Sequence, residues 1–196
     1  MIHGLSTIIA NYLSSKKVIP EDETEAYIYG YETFLSGIID LIITLIFGIV
    51  FKRILVSILF FMMFVAIRMY VGGYHANSYF KCKLIFISNV MIALGASYIR
   101  VPLLIIIIII AIFLITMFIF SLLENLNKPL SAEKRKKYRI IGLLYSVIWS
   151  IASIITYFNR TDISMMIICG ELIITLLMLY GILVKEGKED EKEFYS

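Results

Sequence analysis

Pro102-Leu103-Leu104-Ile105-Ile106-Ile107-Ile108-Ile109-Ile110-Ala111-Ile112-Phe113-Leu114-Ile115-Thr116-Met117-Phe118-Ile119-Phe120 runs for nineteen residues without a charge. The isoleucine run Ile105 to Ile110 alone would suit a buried strand, but buried strands stop after roughly four to eight residues and this stretch does not. Its length is instead what a helix needs to cross the hydrocarbon of a bilayer, about 20 mostly apolar residues. Pro102 suits the first helical turn, where its missing N–H costs nothing. A spanning helix is therefore expected at 102–122.

Working outward, the same reading gives five further spans, at 34–51, 54–71, 84–100, 140–158 and 164–184. Of the 196 residues, 60% are hydrophobic, and the mean hydropathy is +0.90. Soluble domains run nearer 45–50% apolar, so the excess calls for a lipid bilayer as partner. The expected fold class is all-α: a polytopic membrane protein of about six transmembrane helices, forming a single domain over residues 1–196. Residues 2–33 are expected to form surface helices. Ile2, Leu5, Ile8, Ile9, Tyr12 and Leu13 sit at helical spacing in a segment too short to span. Pro20 followed by Glu21, Asp22, Glu23 and Glu25 reads as the start of a second helix, with acids at the positive end of its dipole. The N-terminus lacks a signal-peptide pattern, so the first span is expected to direct insertion.

Lysine and arginine set the orientation. With the N-terminus inside, thirteen cations (Lys16, Lys17, Lys81, Lys83, Lys128, Lys134, Arg135, Lys136, Lys137, Arg139, Lys185, Lys188 and Lys192) fall on cytoplasmic segments. Four, Lys52, Arg53, Arg100 and Arg160, fall outside. That bias places both termini inside a bacterial plasma membrane, and it puts the stretch from Gly72 to Lys83 at the cytoplasmic face. A net charge of +3 without interleaved aromatic and basic residues excludes nucleic acid as a partner. Two cysteines make no disulfide framework. Two histidines and two cysteines, widely placed, suggest neither a metal site nor a cofactor.

One segment differs from the rest: Arg68-Met69-Tyr70-Val71-Gly72-Gly73-Tyr74-His75-Ala76, then Asn77-Ser78-Tyr79-Phe80-Lys81-Cys82. A cysteine and a histidine are the minimum apparatus for acyl transfer, because the thiolate is the nucleophile and the imidazole generates it. On a continuous helix, seven residues would hold His75 and Cys82 about 10 Å apart along the axis. The pair can work only if the chain turns back between them, and Gly72-Gly73 and Asn77-Ser78 permit such turning. With Asn77 or Ser78 as cap, Cys82 would fall in a first helical turn between Lys81 and Lys83, where positive potential favours a thiolate. Taken singly, a boundary cysteine is more often inert packing, and a boundary histidine is more often an interfacial hydrogen-bonding group.

Arg68-x-x-x-Gly72-Gly73-Tyr74-His75-Ala76, with Cys82 seven residues after the histidine, resembles the signature of the accessory gene regulator protein B (AgrB) family. Its members are membrane cysteine endopeptidases that process quorum-sensing peptide precursors in Gram-positive bacteria. Tyr29-Gly30-Tyr31-Glu32, Ser88 and Asn127-Lys128-Pro129 with the basic cluster after it extend the resemblance over nearly the whole chain. Val71 replaces a common alanine, and Ser121-Leu122-Leu123 stands where many members carry Ala-Pro. The resemblance implies that Cys82 is the nucleophile and His75 the general base and then acid. It implies a short amphipathic AgrD-like precursor cleaved near its C-terminal side, and an acyl-enzyme resolved by ring closure to a thiolactone or lactone.

Other residues carry open readings. Arg68 is a candidate oxyanion donor or carboxylate anchor, or else an ion-pair partner of Asp40 or Glu171; the backbone N–H groups of Gly72 and Gly73 are further oxyanion candidates. Ser88 and Asp40 are candidates for orienting His75. Lys128, Lys134, Arg135, Lys136 and Lys137 would hold an acidic precursor tail, or set topology and meet anionic lipid. The acids Asp40 and Glu171 are costly inside a membrane and open in role. Cys169 reads as packing. A homodimer is the simplest assembly. The rival readings are a non-proteolytic peptide exporter or small transporter, and a structural subunit.

Overall fold

The computed structural model describes residues 2–71, 79–120 and 132–194. Among them every regular element is helical: α1 (Ile2–Ser15), a 3₁₀ turn (Glu21–Glu23), α2 (Thr24–Val50), α3 (Ile54–Val71), α4 (Tyr79–Ala96), α5 (Leu103–Phe120), α6 (Ala132–Asn159) and α7 (Thr161–Phe194). The chain divides into two compact units, residues 1–46 and 47–196.

In the first unit, α1 is the expected amphipathic helix. It buries Ser6 and Ala10, and leaves the stripe Leu5, Ile8 and Tyr12 exposed. That outward apolar stripe suits a helix lying in a membrane surface. His3 Nδ1 lies 2.5 Å from Glu32 Oε1 and ties α1 to α2. The C-terminus of α1 closes with Val18 N–H donating to Leu13 C=O and Lys17 N–H to Ser14 C=O. This is a Schellman closure, with Lys17 at φ 57° in the position glycine usually takes. The second surface helix and the first span are continuous: α2 runs unbroken from Thr24 to Val50.

The second unit is built around α7, which packs against α3, α4, α5 and α6. Its core joins Phe60, Met63, Phe64 and Ile67 of α3 to Phe86, Val90 and Leu94 of α4, Phe113 and Met117 of α5, and Met166 and Ile167 of α7. On α5 the side chains of Ile106, Ile110, Phe113 and Met117 turn inward, whereas Leu104, Ile107, Ile108, Ile112, Ile115, Phe118 and Ile119 are exposed. A helix apolar on every side, with one face turned to lipid rather than to its neighbours, is what a membrane span presents. Among the described residues four helices are long and apolar enough to cross a membrane: Glu21–Val50, Leu103–Phe120, Lys136–Asn159 and Thr161–Leu183. Of the other two expected spans, α3 is apolar but shorter, and α4 begins at Tyr79 with Lys81 and Lys83 in its first turns. α3 matches the expected 54–71, and α4 starts five residues earlier than expected.

The basic run Lys134 to Arg139, expected in a loop, lies instead in the first turns of α6. Ala132, Glu133 and the lysines that follow are strong helix formers, and Glu133 favours the positive end of the dipole. One face of α6 carries the small buried residues Gly142, Ser146, Ser150 and Ser153, which allow close approach of neighbouring helices. Small groups also tighten the turn from α2 to α3. A Cβ on Gly48 would lie 2.1 Å from Ser57 Oγ and 2.9 Å from Ser57 Cβ. That turn is a second Schellman closure: Arg53 N–H donates to Gly48 C=O and Lys52 N–H to Ile49 C=O, with Lys52 at φ 54°.

Candidate functional site

Cys82 falls in the first turn of α4 and is half-buried, between exposed Lys81 and half-buried Lys83. The helix sets where its thiol points. Phe86, Asn89, Val90 and Ala93 are the buried residues four, seven, eight and eleven positions on, so Cys82 heads the inward face of α4. The start of this stripe is also the N-terminal end of α4, the positive pole of the helix dipole. Two turns deeper on the same face, Asn89 Nδ2 is buried without a hydrogen-bond partner among the described residues.

Aromatic contacts fix the register of α3 against α4. Phe86 meets Phe64 at 5.8 Å between ring centroids and Phe61 at 6.5 Å, edge-on. Arg68 lies one turn after Phe64, with its guanidinium 5.3 Å from that ring's centroid; Cys82 lies one turn before Phe86. Because α3 and α4 approach the Gly72–Ser78 segment from opposite directions, this pairing brings Arg68 and Cys82 to one level at the same end of the unit. His75, Gly72 and Gly73 lie outside the described residues, as does Lys128.

The last turn of α3 is held by a contact that sequence reasoning missed. The Tyr70 ring stacks on Tyr145 of α6, with centroids 5.8 Å apart and planes 9° apart, and it meets Tyr138 edge-on at 5.5 Å. The available signal was the seven-residue spacing of Tyr138 and Tyr145, which puts both rings on one face of α6 with room for a third between them. Tyr70 is two residues before Gly72, so this clasp anchors the chain where it enters the glycine pair.

The remaining candidates separate. Ser88 is exposed and donates to Leu84 C=O at 2.9 Å, which occupies its hydroxyl with its own helix. Lys136 and Lys137 are exposed on the first turns of α6, which also carry Lys134 and Arg135. Arg139 is committed elsewhere: it donates to Phe118 C=O at 2.7 Å and lies over the Phe118 ring, capping a carbonyl at the end of α5. Asp40 lies on α2 in the first unit, half-buried. Glu171 is fully buried; its Oε1 accepts a 2.7 Å hydrogen bond from Ser150, and its Oε2 has no partner among the described residues. Glu171, one of the two acids open as an ion-pair partner of Arg68, faces the small-residue face of α6 and takes its hydrogen bond from Ser150 there. Cys169 is half-buried against the core, as its reading as packing requires. Among the described residues no three His, Cys, Asp or Glu side chains gather where a metal could be held.

Comparison with known proteins adds an independent line. The family described as Accessory gene regulator B matches residues 6–179. The "Putative AgrB-like protein 2" of Clostridium perfringens (strain 13 / Type A) is 30% identical over 172 residues, covering 81% of this chain and 80% of the relative. A "Putative AgrB-like protein" of Clostridium perfringens (strain SM101 / Type A) is similar to the same extent. No solved structure matches.

Proposed function

The chain belongs to the accessory gene regulator B family, and from that premise we propose that it is a membrane-embedded cysteine endopeptidase that processes a quorum-sensing peptide precursor. The observation that carries this reading is the position of Cys82, heading the inward face of α4 at one level with Arg68. In the proposed reaction His75 takes the Cys82 proton, and the thiolate attacks a backbone carbonyl of the precursor near its C-terminal side. The developing oxyanion meets the Arg68 guanidinium or the N–H groups of Gly72 and Gly73. The C–N bond breaks, His75 returns its proton to the leaving amine, and the peptide is held as a Cys82 thioester. A thiol or hydroxyl within the peptide then gives its proton to His75 and attacks that thioester, closing a thiolactone or lactone, and the expelled Cys82 thiolate takes the proton back from His75.

Thioester exchange is close to neutral in free energy, whereas hydrolysis would discard the acyl group, so the half-buried setting of the sulfur favours ring closure over attack by water. The site lies at the cytoplasmic face, beside the first turns of α6 that carry Lys134, Arg135, Lys136 and Lys137; these cations, together with Lys128 earlier in the sequence, attract an acidic peptide tail. An AgrD-like amphipathic precursor lying on the same membrane surface is concentrated there, and modest intrinsic affinity then suffices.

The test is the intact mass of the full chain after incubation with an amphipathic precursor. An acyl adduct is expected on the native protein and on Cys169→Ala, and none on Cys82→Ala. Cleavage by Cys82→Ala at the native rate would overturn the reading; export of uncleaved peptide by that variant would establish the transporter alternative.

A further inference from the structure

The end of the second unit away from Cys82 gathers three short connections: α2 to α3, α4 to α5, and α6 to α7. They are cross-linked. Arg53 donates to Asp162 Oδ2 at 2.8 Å, and Arg160 reaches both oxygens of the same carboxylate at 3.2 and 3.1 Å. The Arg53 guanidinium lies 4.5 Å from the Tyr98 ring centroid, and the Tyr98 hydroxyl donates to Phe51 C=O. Arg100 lies over Tyr157 at 5.6 Å, and the Tyr157 hydroxyl donates to Val101 C=O at 3.3 Å. Between them is an open cleft of about 510 Å³.

Its charge does not balance. Arg53, Arg100 and Arg160 line the cleft with one carboxylate, Asp162, leaving two positive charges over. Asp162 is already shared by two guanidinium groups, and no carboxylate among the described residues pairs with Arg100. Guanidinium forks held by aromatic faces suit a tetrahedral oxyanion, which takes several N–H donors at once. The depth of the cleft selects the source. It sits where candidate spans end or begin, at Val50, Leu103, Asn159 and Thr161, and its rim carries the exposed side chains of Tyr98 and Ile99. That is the level at which a phospholipid carries its phosphate above its acyl chains.

We propose that Arg53, Arg100 and Arg160 form a phosphate-binding cleft that holds the headgroup of an anionic phospholipid. Asp162 positions Arg53 and Arg160, and Arg100 supplies the uncompensated donor. The bound headgroup fastens the three connections together at the end opposite Cys82.

The experiment is native mass spectrometry of the full chain in neutral detergent with phosphatidylglycerol or phosphatidylcholine. One phosphatidylglycerol per chain is expected in preference to phosphatidylcholine, with retention weakened about tenfold or more in Arg100→Gln and in Arg160→Gln. Lys16→Gln, the same loss of charge on an exposed residue in the turn after α1, is expected to retain lipid as the native chain does. Inorganic phosphate distinguishes the sources. If millimolar phosphate displaces the lipid, the cleft recognises the phosphate group itself; if it does not, the lipid as a whole is the ligand. Equal retention of both lipids, or equal retention of phosphatidylglycerol by the native chain and both cleft variants, overturns the proposal.

Discussion

Replacing Tyr70 by alanine tests whether the end of α3 must be held for acyl transfer to occur. Tyr70 makes two ring contacts with α6, stacked on Tyr145 at 5.8 Å and edge-on to Tyr138 at 5.5 Å. Such pairs contribute about 0.5–1.5 kcal/mol each beyond area burial. Losing both removes about 1–3 kcal/mol from the docked arrangement, which lowers its population relative to undocked forms by roughly 5- to 150-fold. Tyr70 stands two residues before Gly72, so undocking releases the glycine pair and the approach to His75 while leaving Cys82 on α4. The effect should therefore appear in kcat for precursor cleavage, with KM little changed. Tyr70→Phe keeps both ring contacts and should retain activity. Tyr70→Ala combined with Tyr145→Ala should be less damaging than the product of the two single effects, because both variants break the same contact. If Tyr70→Ala processes precursor at the native rate, or Tyr70→Phe falls as far as alanine, the rings do not position the site.

Two further outcomes concern packing, and thermal melting in detergent reads both. Glu171→Gln keeps an oxygen to accept the Ser150 hydrogen bond and should melt close to the native chain, whereas Glu171→Ala empties buried volume, strands the serine and should cost about 2–5 kcal/mol; an alanine variant as stable as the glutamine variant would refute this. Gly48→Ala places a methyl 2.9 Å from Ser57 Cβ and 3.2 Å from Ile54 Cα and should cost about 1–3 kcal/mol, recovered by Ser57→Gly, while Gly170→Ala is crowded by the end of the Met63 side chain, with Phe60 at ordinary contact distance, and should be milder.

How much of this was legible follows from the length scale of each signal. Span-scale hydropathy needs no partner to be read, so α3 appears at its expected residues and α5 within two of them, with the all-helical class following from both. The basic run Lys134 to Arg139 was misplaced for a related reason. A change from apolar to charged marks where lipid gives way to water, and α6 crosses that boundary without unwinding. The same holds for α2, where Thr24 to Thr33 lies outside the expected span yet continues the same helix.

The site was legible only as far as residue types and spacing carry chemistry. Cys82 could be placed near a helix start from its neighbours alone, and its position on the inward face follows from Phe86, Val90 and Ala93 at helical spacing. Pairings between helices distant in sequence were not legible. Tyr70 meets Tyr145 across seventy-five residues, and Arg53 meets Asp162 across 109. Arg53, Arg100 and Arg160 had a meaning in the sequence only as a minority of outside cations, a tally in which each counts alike. Brought together around one aspartate they are no longer alike: two share a carboxylate and one does not, and that inequality is what a hydropathy or charge count has no means to express.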